Sequence, residues 1–342
     1  MDFEKLLENV SERPTLKNCS ALLSKAKGYD EIRSLFDFAS KLRDENTGRT
    51  LKLDSFIYPV KKCVMEKYCI YCSNYVEKFR LEPLSSEEFC KAVEYIRDCG
   101  MKRVTLEGGY NPDNSKIPEF IRMARKTGLE VALDIYPISE NELEVFKSLG
   151  VSEAYASLEI AEEKLFKHFK PEESLEERIK LAKEICRQKM GLSSTLLLGL
   201  PGVRDEVCIK GILMLREFDC LRHLTISGFN PVFGTPLEGP NPASPIAVAK
   251  FVALARILLP DKDISAAGSA SLQSLPLMLI AGANRAYLGA YVCRARTSKG
   301  FADELDEVFK PEYEAKIQGG LVFADPSKAV ERICRDLGFE ID

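Results

Sequence analysis

Three cysteines stand close together in the stretch CVMEKYCIYC, as Cys63, Cys69 and Cys72. Thiolates grouped in one loop can hold a soft metal. A structural zinc site normally has four protein ligands, and a cubane iron–sulfur cluster is usually held by four cysteines. No neighbouring histidine or cysteine completes either set here. Three thiolate ligands on such a cluster would leave one iron open to a substrate or cofactor.

The other eight cysteines are scattered along the chain, and we interpret them as small buried hydrophobic residues. They are Cys19, Cys90, Cys99, Cys186, Cys208, Cys220, Cys293 and Cys334. The total of 11 is odd, and the acidic amphipathic start at Met1 is unlike a signal peptide. We therefore expect a cytoplasmic location and no disulfide framework. Two histidines exclude a multi-histidine metal site.

The bulk composition excludes two classes of partner. Of the 342 residues, 45% are hydrophobic, and the net charge is −4. An acidic chain lacks the basic surface that nucleic-acid binding needs. No apolar run reaches the roughly 18 residues that span a bilayer. We therefore expect neither a nucleic acid nor a membrane as partner.

Short apolar runs alternate with amphipathic helices after residue 50. Residues 1–47 have apolar positions at the helical spacing of three and four. Eight runs predict strands: 55–60, 103–109, 130–136, 153–160, 193–199, 223–229, 263–268 and 285–290. Helical patterns fall between them, several with a Ser or Asp cap and a closing Gly.

Eight strands alternating with helices favour a (β/α)8 TIM-type barrel with N-terminal and C-terminal helical extensions. A doubly wound open sheet is the alternative. The predicted boundaries are residues 1–50 for the N-terminal extension, 51–295 for the barrel and 296–342 for the closing helices. Two helices are predicted in that tail, over FADELDEVFKPEYEAKI and PSKAVERICRDLGF.

The cysteines follow the first predicted barrel strand, at the end of a barrel where reactive groups lie. A cysteine triplet there, with Tyr71 directly before the last cysteine, resembles the radical S-adenosylmethionine (radical SAM) family. The usual spacing in that family is C-x3-C-x2-C, whereas this chain has C-x5-C-x2-C. The resemblance implies one [4Fe–4S] cluster held by Cys63, Cys69 and Cys72, with SAM as second cofactor. A zinc site or a loop of buried thiols is the alternative.

The second strand ends in TLEGGY, which is similar to the family's Gly-Gly segment. By that resemblance, the backbone of Gly108 and Gly109 receives the methionine amino group of SAM. Tyr110 stands where the family often has an acid, and Glu107 precedes the glycines instead. A plain strand-to-loop turn is the alternative.

The fourth strand ends in SLE, and the helix after it carries SLEERIKLAKE. In the biotin-synthase and hydrogenase-maturase branches, a Ser/Glu pair and an Arg at these places hold the methionine and ribose parts of SAM. Ser157, Glu159 and Arg178 match them, and a guanidinium suits a carboxylate through paired hydrogen bonds. The alternative for Arg178 is a surface ion pair on the helix.

The adenine contacts are implied by three further stretches. LLLGLPGVRDE resembles the family's fifth strand and places Leu197 and Gly199 beside adenine. NPVFGTPLEG resembles the turn after the sixth strand and places Val232 and Phe233 there. Tyr71 would pack by the cluster and the adenine, with an ordinary packed aromatic as the alternative.

The five-residue first gap resembles that of the radical SAM proteins encoded beside the iron-only (Hmd) hydrogenase of methanogens, the HmdB group. This resemblance implies a role in building the iron-guanylylpyridinol (FeGP) cofactor, at the pyridinol-ring stage. Implied partners are a small-molecule substrate, an electron donor of the ferredoxin or flavodoxin type and other cofactor-maturation proteins. Alternatives are another biotin-synthase-like synthase or mutase, and a non-catalytic iron–sulfur carrier.

Substrate residues are not fixed by these motifs. Asp134 and Tyr136, at the end of the third strand, are candidates to face the barrel cavity. Arg294 and Arg296, after the eighth strand, would either bind an anionic substrate or cap the rim. Cys293 also lies just past the eighth strand, but the chain has no second compact group of cysteines, so a second cluster would need dispersed cysteines.

Overall fold

Three helices precede the first strand in the computed structural model, which describes residues 2–268, 272–294 and 314–342. They are α1 (Phe3–Glu12), α2 (Leu16–Lys25) and α3 (Tyr29–Thr47). The side chains of Asp2 and Thr15 cap the first two by accepting backbone N–H groups. In the fold, α2 packs on the barrel helix Asp205–Leu215 and α3 packs on the barrel helix Pro245–Leu258, so the expected N-terminal helical extension is present.

The strands and helices then alternate through the middle of the chain. The strands are β1 (Thr50–Leu53), β2 (Ser55–Tyr58), β3 (Arg103–Tyr110), β4 (Glu130–Tyr136), β5 (Val151–Tyr155), β6 (Gly191–Leu198), β7 (Leu221–Gly228), β8 (Asp263–Gly268), β9 (Arg285–Ala286) and β10 (Tyr291–Arg294). The helices are α4 (Ser86–Asp98), α5 (Ile117–Lys126), α6 (Glu140–Ser148), α7 (Glu163–Phe169), α8 (Leu175–Arg187), α9 (Asp205–Leu215), α10 (Pro245–Leu258) and α11 (Leu275–Ile280). Capping boxes at Ser85 and Ser139 begin α4 and α6.

One large sheet, of the TIM-barrel type, organises the described residues. Three further strands lie in the tail: β11 (Glu314–Gln318), β12 (Leu321–Asp325) and β13 (Glu340–Ile341). The strand order of the large sheet is β11-β12-β10-β2-β3-β4-β5-β6-β7-β8, and the strands from β10 through β8 are parallel. A small parallel sheet, β13-β1-β9, lies beside it. Six consecutive βα-type connections join β2 to β8, and a seventh leads from β8 to β10, so the predicted α/β barrel architecture is confirmed. Over the described ranges, every helix is too short or too polar to cross a bilayer.

Alternate residues of each strand face the barrel interior. On β3, Val104 and Leu106 belong to the main hydrophobic core, which includes the surrounding helices. Thr105 and Glu107 therefore face the other way, into the barrel. The interior is accordingly lined by polar side chains, and the hydrophobic core lies between sheet and helices.

Charged residues close the amino-terminal end of the barrel. The guanidinium of Arg285 pairs with Asp54 and lies 2.9 Å from Glu153. Arg103 reaches Asp54 at 3.4 Å, and Lys52 reaches Asp263 at 2.9 Å. These residues form what we call the basal ion cluster, with three positive and three negative side chains.

The structure differs from the sequence prediction near the eighth strand. The predicted strand over 285–290 is divided: Arg285–Ala286 pairs with β1 as β9, and the strand beside β2 is β10, Tyr291–Arg294. The strand β1 itself was not predicted. This four-residue stretch has only two apolar residues, and the residues it pairs with lie far away in the sequence.

The tail is also different from two closing helices. Residues Glu314–Gln318 form β11, which pairs antiparallel with β12 (Leu321–Asp325). The second predicted helix is present as α12 (Ser327–Leu337), followed by β13 (Glu340–Ile341). The first part of the other predicted helix, residues 301–313, lies outside the described residues.

The scattered cysteines fall into three groups. Cys90, Cys99 and Cys293 are only half-buried, which corrects their interpretation as buried residues. Cys19, Cys208 and Cys334 are buried as expected. Cys186 and Cys220, however, form a disulfide with a Cα–Cα distance of 5.3 Å. This corrects the interpretation of these two residues as free, buried thiols; the two positions are 34 residues apart, so their proximity is a product of the fold.

Candidate functional site

The loop between β2 and α4 carries the three clustered cysteines, and it begins as an extension of the sheet. The Val60 amide donates to the Glu107 carbonyl at 2.8 Å, and the Val64 amide donates to the Tyr110 carbonyl at 2.7 Å. This pairing lays Cys63 against the end of β3. A Cβ on Gly109 would fall on the backbone of Cys63, so glycine is needed there for close approach.

The thiols of Cys63, Cys69 and Cys72 are half-buried and free of disulfides. The Cys72 amide donates to the Cys69 carbonyl at 3.1 Å, which folds the last two into one turn. Burial raises the pKa of the Cys63 thiol to about 11 and raises those of Cys69 and Cys72 as well. Coordination to a metal would deprotonate such thiols outright.

This donor set fits an iron–sulfur cluster by its chemistry: three thiols in one loop at the mouth of the barrel. Among the described residues, the side chains of this loop do not converge on a common point as a formed metal site would. The fit therefore rests on donor type and placement, and the role of the three cysteines as ligands remains an expectation from the sequence.

Tyr71 and Glu159 meet beside the cysteine loop. The Tyr71 hydroxyl donates a hydrogen bond to Glu159 Oε2. Glu159 has a positive φ of 51° and exchanges backbone hydrogen bonds with β6, at Thr195 and Leu197. Left-handed backbone at a glutamate costs free energy and concentrates at functional sites. Burial, reinforced by Glu159, raises the pKa of Tyr71 well above its ordinary value.

Arg178 is buried and already holds partners. Its Nε lies 3.0 Å from Glu173 Oε2, its Nη2 bonds the same oxygen, and its guanidinium carbon lies 3.6 Å over the Tyr136 ring. Nη1 has no hydrogen bond to any described residue. Burial lowers the pKa of Arg178, but Glu173 and Glu159 more than offset this and raise it. The guanidinium is thus charged, fixed in orientation and open along one edge.

Lys170 and Glu173 complete this group, and neither was singled out from the sequence. Lys170 Nζ lies 2.7 Å from Glu159 Oε1 and 3.3 Å from Glu173 Oε1. Cys69 Sγ lies 3.8 Å from Glu173 Oε1. Both residues occupy the turn between α7 and α8, where KPEES reads as an ordinary solvated turn. We call Tyr71, Glu159, Lys170, Glu173 and Arg178 the rim network.

The remaining predicted residues are less tightly associated. Ser157 is buried just after β5, and Leu197 is half-buried on β6, bonded through its amide to Glu159. Gly199 has a positive φ of 86°, and a Cβ there would meet Ala243 at 2.8 Å. Val232 is half-buried in the loop after β7. Phe233 is 72% exposed, with Lys78 Nζ 5.4 Å from its ring centre, so the structure does not bring it to the rim network.

Of the four substrate candidates from the sequence, Tyr136 lies under the Arg178 guanidinium, and two others also have clear positions. Asp134 is half-buried on the inward face of β4. Arg294 Nη2 pairs with Glu88 at 2.7 Å on the outer side of the sheet, which favours a role at the rim over one in the cavity. Arg296 lies outside the described residues.

Lys61 is a further buried residue that sequence reasoning missed. Its Nζ donates to Asn114 Oδ1 at 2.5 Å and to the Asn111 carbonyl. Burial lowers its pKa to about 8 despite the nearby Glu142 carboxylate. This anchor fixes the start of the cysteine loop from beneath.

Comparisons with known families agree with this geometry. The family model described as the radical SAM superfamily matches residues 57–209, which include the cysteine loop and the rim network. The model described as the biotin and thiamin synthesis associated domain matches residues 225–308.

Three individual proteins are similar to this chain over more than two thirds of its length. An uncharacterized protein of Methanocaldococcus jannaschii is 29% identical over 71% of this chain, which spans 66% of that protein's length. Biotin synthase of Clostridium acetobutylicum is 30% identical, with 79% of this chain and 85% of that protein aligned. The [FeFe] hydrogenase maturase subunit HydE of Thermotoga maritima is 27% identical over 77% of this chain and 75% of its own.

The fold has a solved counterpart in methylornithine synthase (PylB). That structure superposes with a TM-score of 0.76 at 20% identity, over 98% of this chain and 97% of its own. From the family model and the 30% identity with biotin synthase of Clostridium acetobutylicum, the chain belongs to the radical SAM superfamily, whose members use a [4Fe–4S] cluster and S-adenosylmethionine.

Proposed function

We propose that this radical SAM enzyme serves the biosynthesis of the FeGP cofactor of the Hmd hydrogenase, at the formation of the pyridinol ring. The observation that carries the proposal is the five-residue gap between Cys63 and Cys69, which resembles the HmdB group. The biotin-synthase and hydrogenase-maturase relatives support the same branch of the superfamily.

The cofactors would be held by the residues already described. Cys63, Cys69 and Cys72 would ligate the cluster, which when bound supplies the electron that cleaves SAM to methionine and a 5′-deoxyadenosyl radical. The backbone of Gly108 and Gly109 would receive the methionine amino group.

The rim network would orient SAM by charge. Arg178 would take the methionine carboxylate on the guanidinium edge that includes Nη1, because Glu173 fixes the opposite edge. Glu159 and Ser157 would contact the polar groups of the methionine and ribose. Lys170, paired with Glu159 and Glu173, balances the carboxylates that surround the guanidinium.

The adenine would lie on the apolar side of the rim. Leu197, Gly199, Val232, Phe233 and Tyr71 are the proposed contacts. Phe233 would have to move from its exposed position, and a phenyl ring gains from covering a flat apolar face.

The barrel interior supports carbon-skeleton chemistry over sulfur insertion. In biotin synthase, sulfur insertion consumes an additional cluster inside the barrel. Among the described strands of this barrel, Cys293 on β10 is the one cysteine. A second cluster would therefore lack cysteine ligands from neighbouring strands.

A sulfur-inserting enzyme of the biotin-synthase type is the second candidate. The match of residues 225–308 to the biotin and thiamin synthesis associated domain favours it.

A mutase would cleave SAM without consuming cluster sulfide, and a non-catalytic iron–sulfur carrier would hold the cluster without cleaving SAM. For any of the enzymes, an external donor of the ferredoxin or flavodoxin type would supply electrons, and other cofactor-maturation proteins would receive the product.

Anaerobic reconstitution separates these functions. The reconstituted protein, incubated with dithionite and SAM, should release 5′-deoxyadenosine, whereas a carrier would release none. Adding an extract of a methanogen that lacks this gene should then yield a hydroxypyridine by mass spectrometry. A sulfur-containing product with loss of cluster sulfide would instead establish the biotin-synthase type. SAM cleavage without a hydroxypyridine, in an extract that regains it with the natural gene, would contradict the pyridinol proposal.

A further inference from the structure

Two carboxylates face each other inside the barrel, below the rim network. Glu107 on β3 and Asp134 on β4 are direct partners in the strand register, and neighbouring strands lie about 4.8 Å apart. Both are half-buried, although the residues before them on the same strands are buried. Because their outward neighbours fill the hydrophobic core, the exposed part of each carboxylate belongs to the interior of the barrel.

Neither carboxylate has a neutralising partner of its own. Neither makes a hydrogen bond or ion pair with any residue in the described ranges. Burial raises the pKa of Glu107 to about 8, with Asp134 and Asp54 adding to the effect. Burial also raises the pKa of Asp134 to about 6, although Arg178 opposes it. Near neutral pH the two carboxyl groups therefore retain a proton between them. A positively charged ligand that displaces this proton would be stabilised by both carboxylates.

A third side chain in the same place lacks a partner. Thr105 is fully buried, and its Oγ1 has no hydrogen-bond partner in the part of the chain that the structure describes. It lies two residues before Glu107 on β3 and faces the same interior. Buried hydroxyls are normally paired because an unmade hydrogen bond costs free energy. This orphaned group is an independent sign that a ligand supplies the missing partner.

The position of these three residues suits a substrate. Asp134 lies close enough to Arg178 and Lys170 for their charges to act on it. The Asp134 end of the group is therefore next to the proposed SAM site. Glu107 is two residues before Gly109, which packs against Cys63. A molecule bound to Thr105, Glu107 and Asp134 would therefore lie directly beneath the place where the radical forms.

We propose that Thr105, Glu107 and Asp134 form a substrate subsite that binds the protonated amino group of a small molecule. The ammonium would donate hydrogen bonds to the two carboxylates and to the threonine hydroxyl. This proposal rests on the proposed function only in placing SAM at the rim, and it does not depend on which product is made.

The test uses three probes of equal length and different charge: putrescine, 1,4-butanediol and succinate. Each is titrated by calorimetry into the anaerobically reconstituted enzyme with SAM present. We expect saturable binding of putrescine alone. Glu107→Gln should weaken it by about tenfold or more, the usual effect of losing a charge-assisted hydrogen bond, and Asp134→Asn should weaken it similarly. Glu119→Gln, an exposed position on α5, is the matched control and should leave it unchanged.

Three outcomes would overturn the proposal: no putrescine binding, equal binding by wild type and both folded carboxylate variants, or tighter binding of succinate. Two positions are tested so that failure of one variant to fold does not remove the comparison. Because no turnover is needed, putrescine binding that depends on Glu107 would stand even if no hydroxypyridine is formed. Conversely, hydroxypyridine formation without ammonium binding would remove this inference alone.

Discussion

Replacement of Cys69 tests the radical generator at the level of a single residue. Cys69→Ala removes one of three proposed thiolate ligands, and two thiolates hold a cubane cluster poorly. We expect the reconstituted variant to lose most of its iron and to release no 5′-deoxyadenosine. Cys90→Ala, on the outer helix α4 with its thiol 3.5 Å from Glu94, is the control. Full iron content and activity in Cys69→Ala would show that Cys69 is not a ligand.

Arg178 tests how SAM is held. Arg178→Lys keeps the positive charge but loses the planar pair of donors and the contact with Tyr136. We expect the affinity for SAM to fall by about tenfold or more, taking roughly 1.5–3 kcal/mol for a charge-assisted hydrogen bond. Arg187→Lys, on the exposed end of α8, is the control. Calorimetry that finds equal SAM affinity in Arg178→Lys would contradict this role.

Glu107 makes a prediction about pH that needs no ligand. Its pKa is raised in the folded state to about 8, above the ordinary value of 4.5. The unfolded chain therefore loses the proton first, and the wild type loses stability as pH rises between those two values. Glu107→Gln cannot ionise, so it should exceed the wild type in stability at about pH 8.5 and resemble it at about pH 5. Urea unfolding at both pH values measures this. If the difference in unfolding free energy between Glu107→Gln and the wild type does not grow with pH, the prediction is wrong.

Motif residues of the site could be found from the sequence, but the residues that support them could not. Tyr71, Glu159 and Arg178 were predicted, and the structure brings all three into the rim network. Lys170 and Glu173 were missed because a charged turn between two helices looks solvated in a sequence. Only the folded chain shows that these two charges are buried against Glu159 and Arg178.

At the scale of elements, the disulfide ties the end of α8 to the residue before β7. Joining positions 34 residues apart restricts the unfolded chain and should contribute about 2–4 kcal/mol. We expect Cys186→Ser to lower the free energy of unfolding by that amount, and a reductant to lower it in the wild type but not in Cys186→Ser. Cys90→Ser is the control. An unchanged unfolding midpoint in reductant would mean that the bond does not contribute.

Local patterns predicted the regular units well and the terminal ones poorly. The Ser85 and Ser139 capping boxes and the alternating apolar runs correspond to α4, α6 and the parallel strands. Most of β11 was predicted as the end of a helix, and no element was predicted over the following QGGLVFAD, although it contains the Gly319-Gly320 turn. Both glycines have positive φ, the feature that a tight hairpin requires. The helical spacing of the preceding residues outweighed that signal.

At the scale of the whole molecule, the barrel interior is arranged in layers along its axis. The basal ion cluster closes the amino-terminal end. Above it, Tyr155, His223 and Ser265 are joined by hydrogen bonds of 3.2 and 2.7 Å. Burial, with Arg285 nearby, lowers the pKa of His223 well below its ordinary value, so it is a neutral member of this layer. The proposed subsite of Thr105, Glu107 and Asp134 and then the rim network follow toward the mouth. The side chains of the lower layers are hydrogen-bonded to one another, whereas the Thr105 hydroxyl above them has no hydrogen-bond partner among the described residues.

The basal ion cluster therefore bears on the stability of the entire barrel. Arg285 is 1% exposed and joins carboxylates from three parts of the sheet, Asp54, Glu153 and Asp263. Arg285→Met would leave these charges buried without their main partner, which typically costs about 3–5 kcal/mol.

We expect the free energy of unfolding of Arg285→Met, measured in urea, to fall within that range. Arg187→Met is the control, because its ion pair with Glu184 is exposed and should contribute less than about 1 kcal/mol. Adding Asp54→Asn and Glu153→Gln to Arg285→Met should restore part of the loss, since neutral amides have a smaller cost of burial. A loss in Arg285→Met no larger than in Arg187→Met would show that water or protons neutralise the carboxylates. In that case the closed end of the barrel would not depend on the arginine.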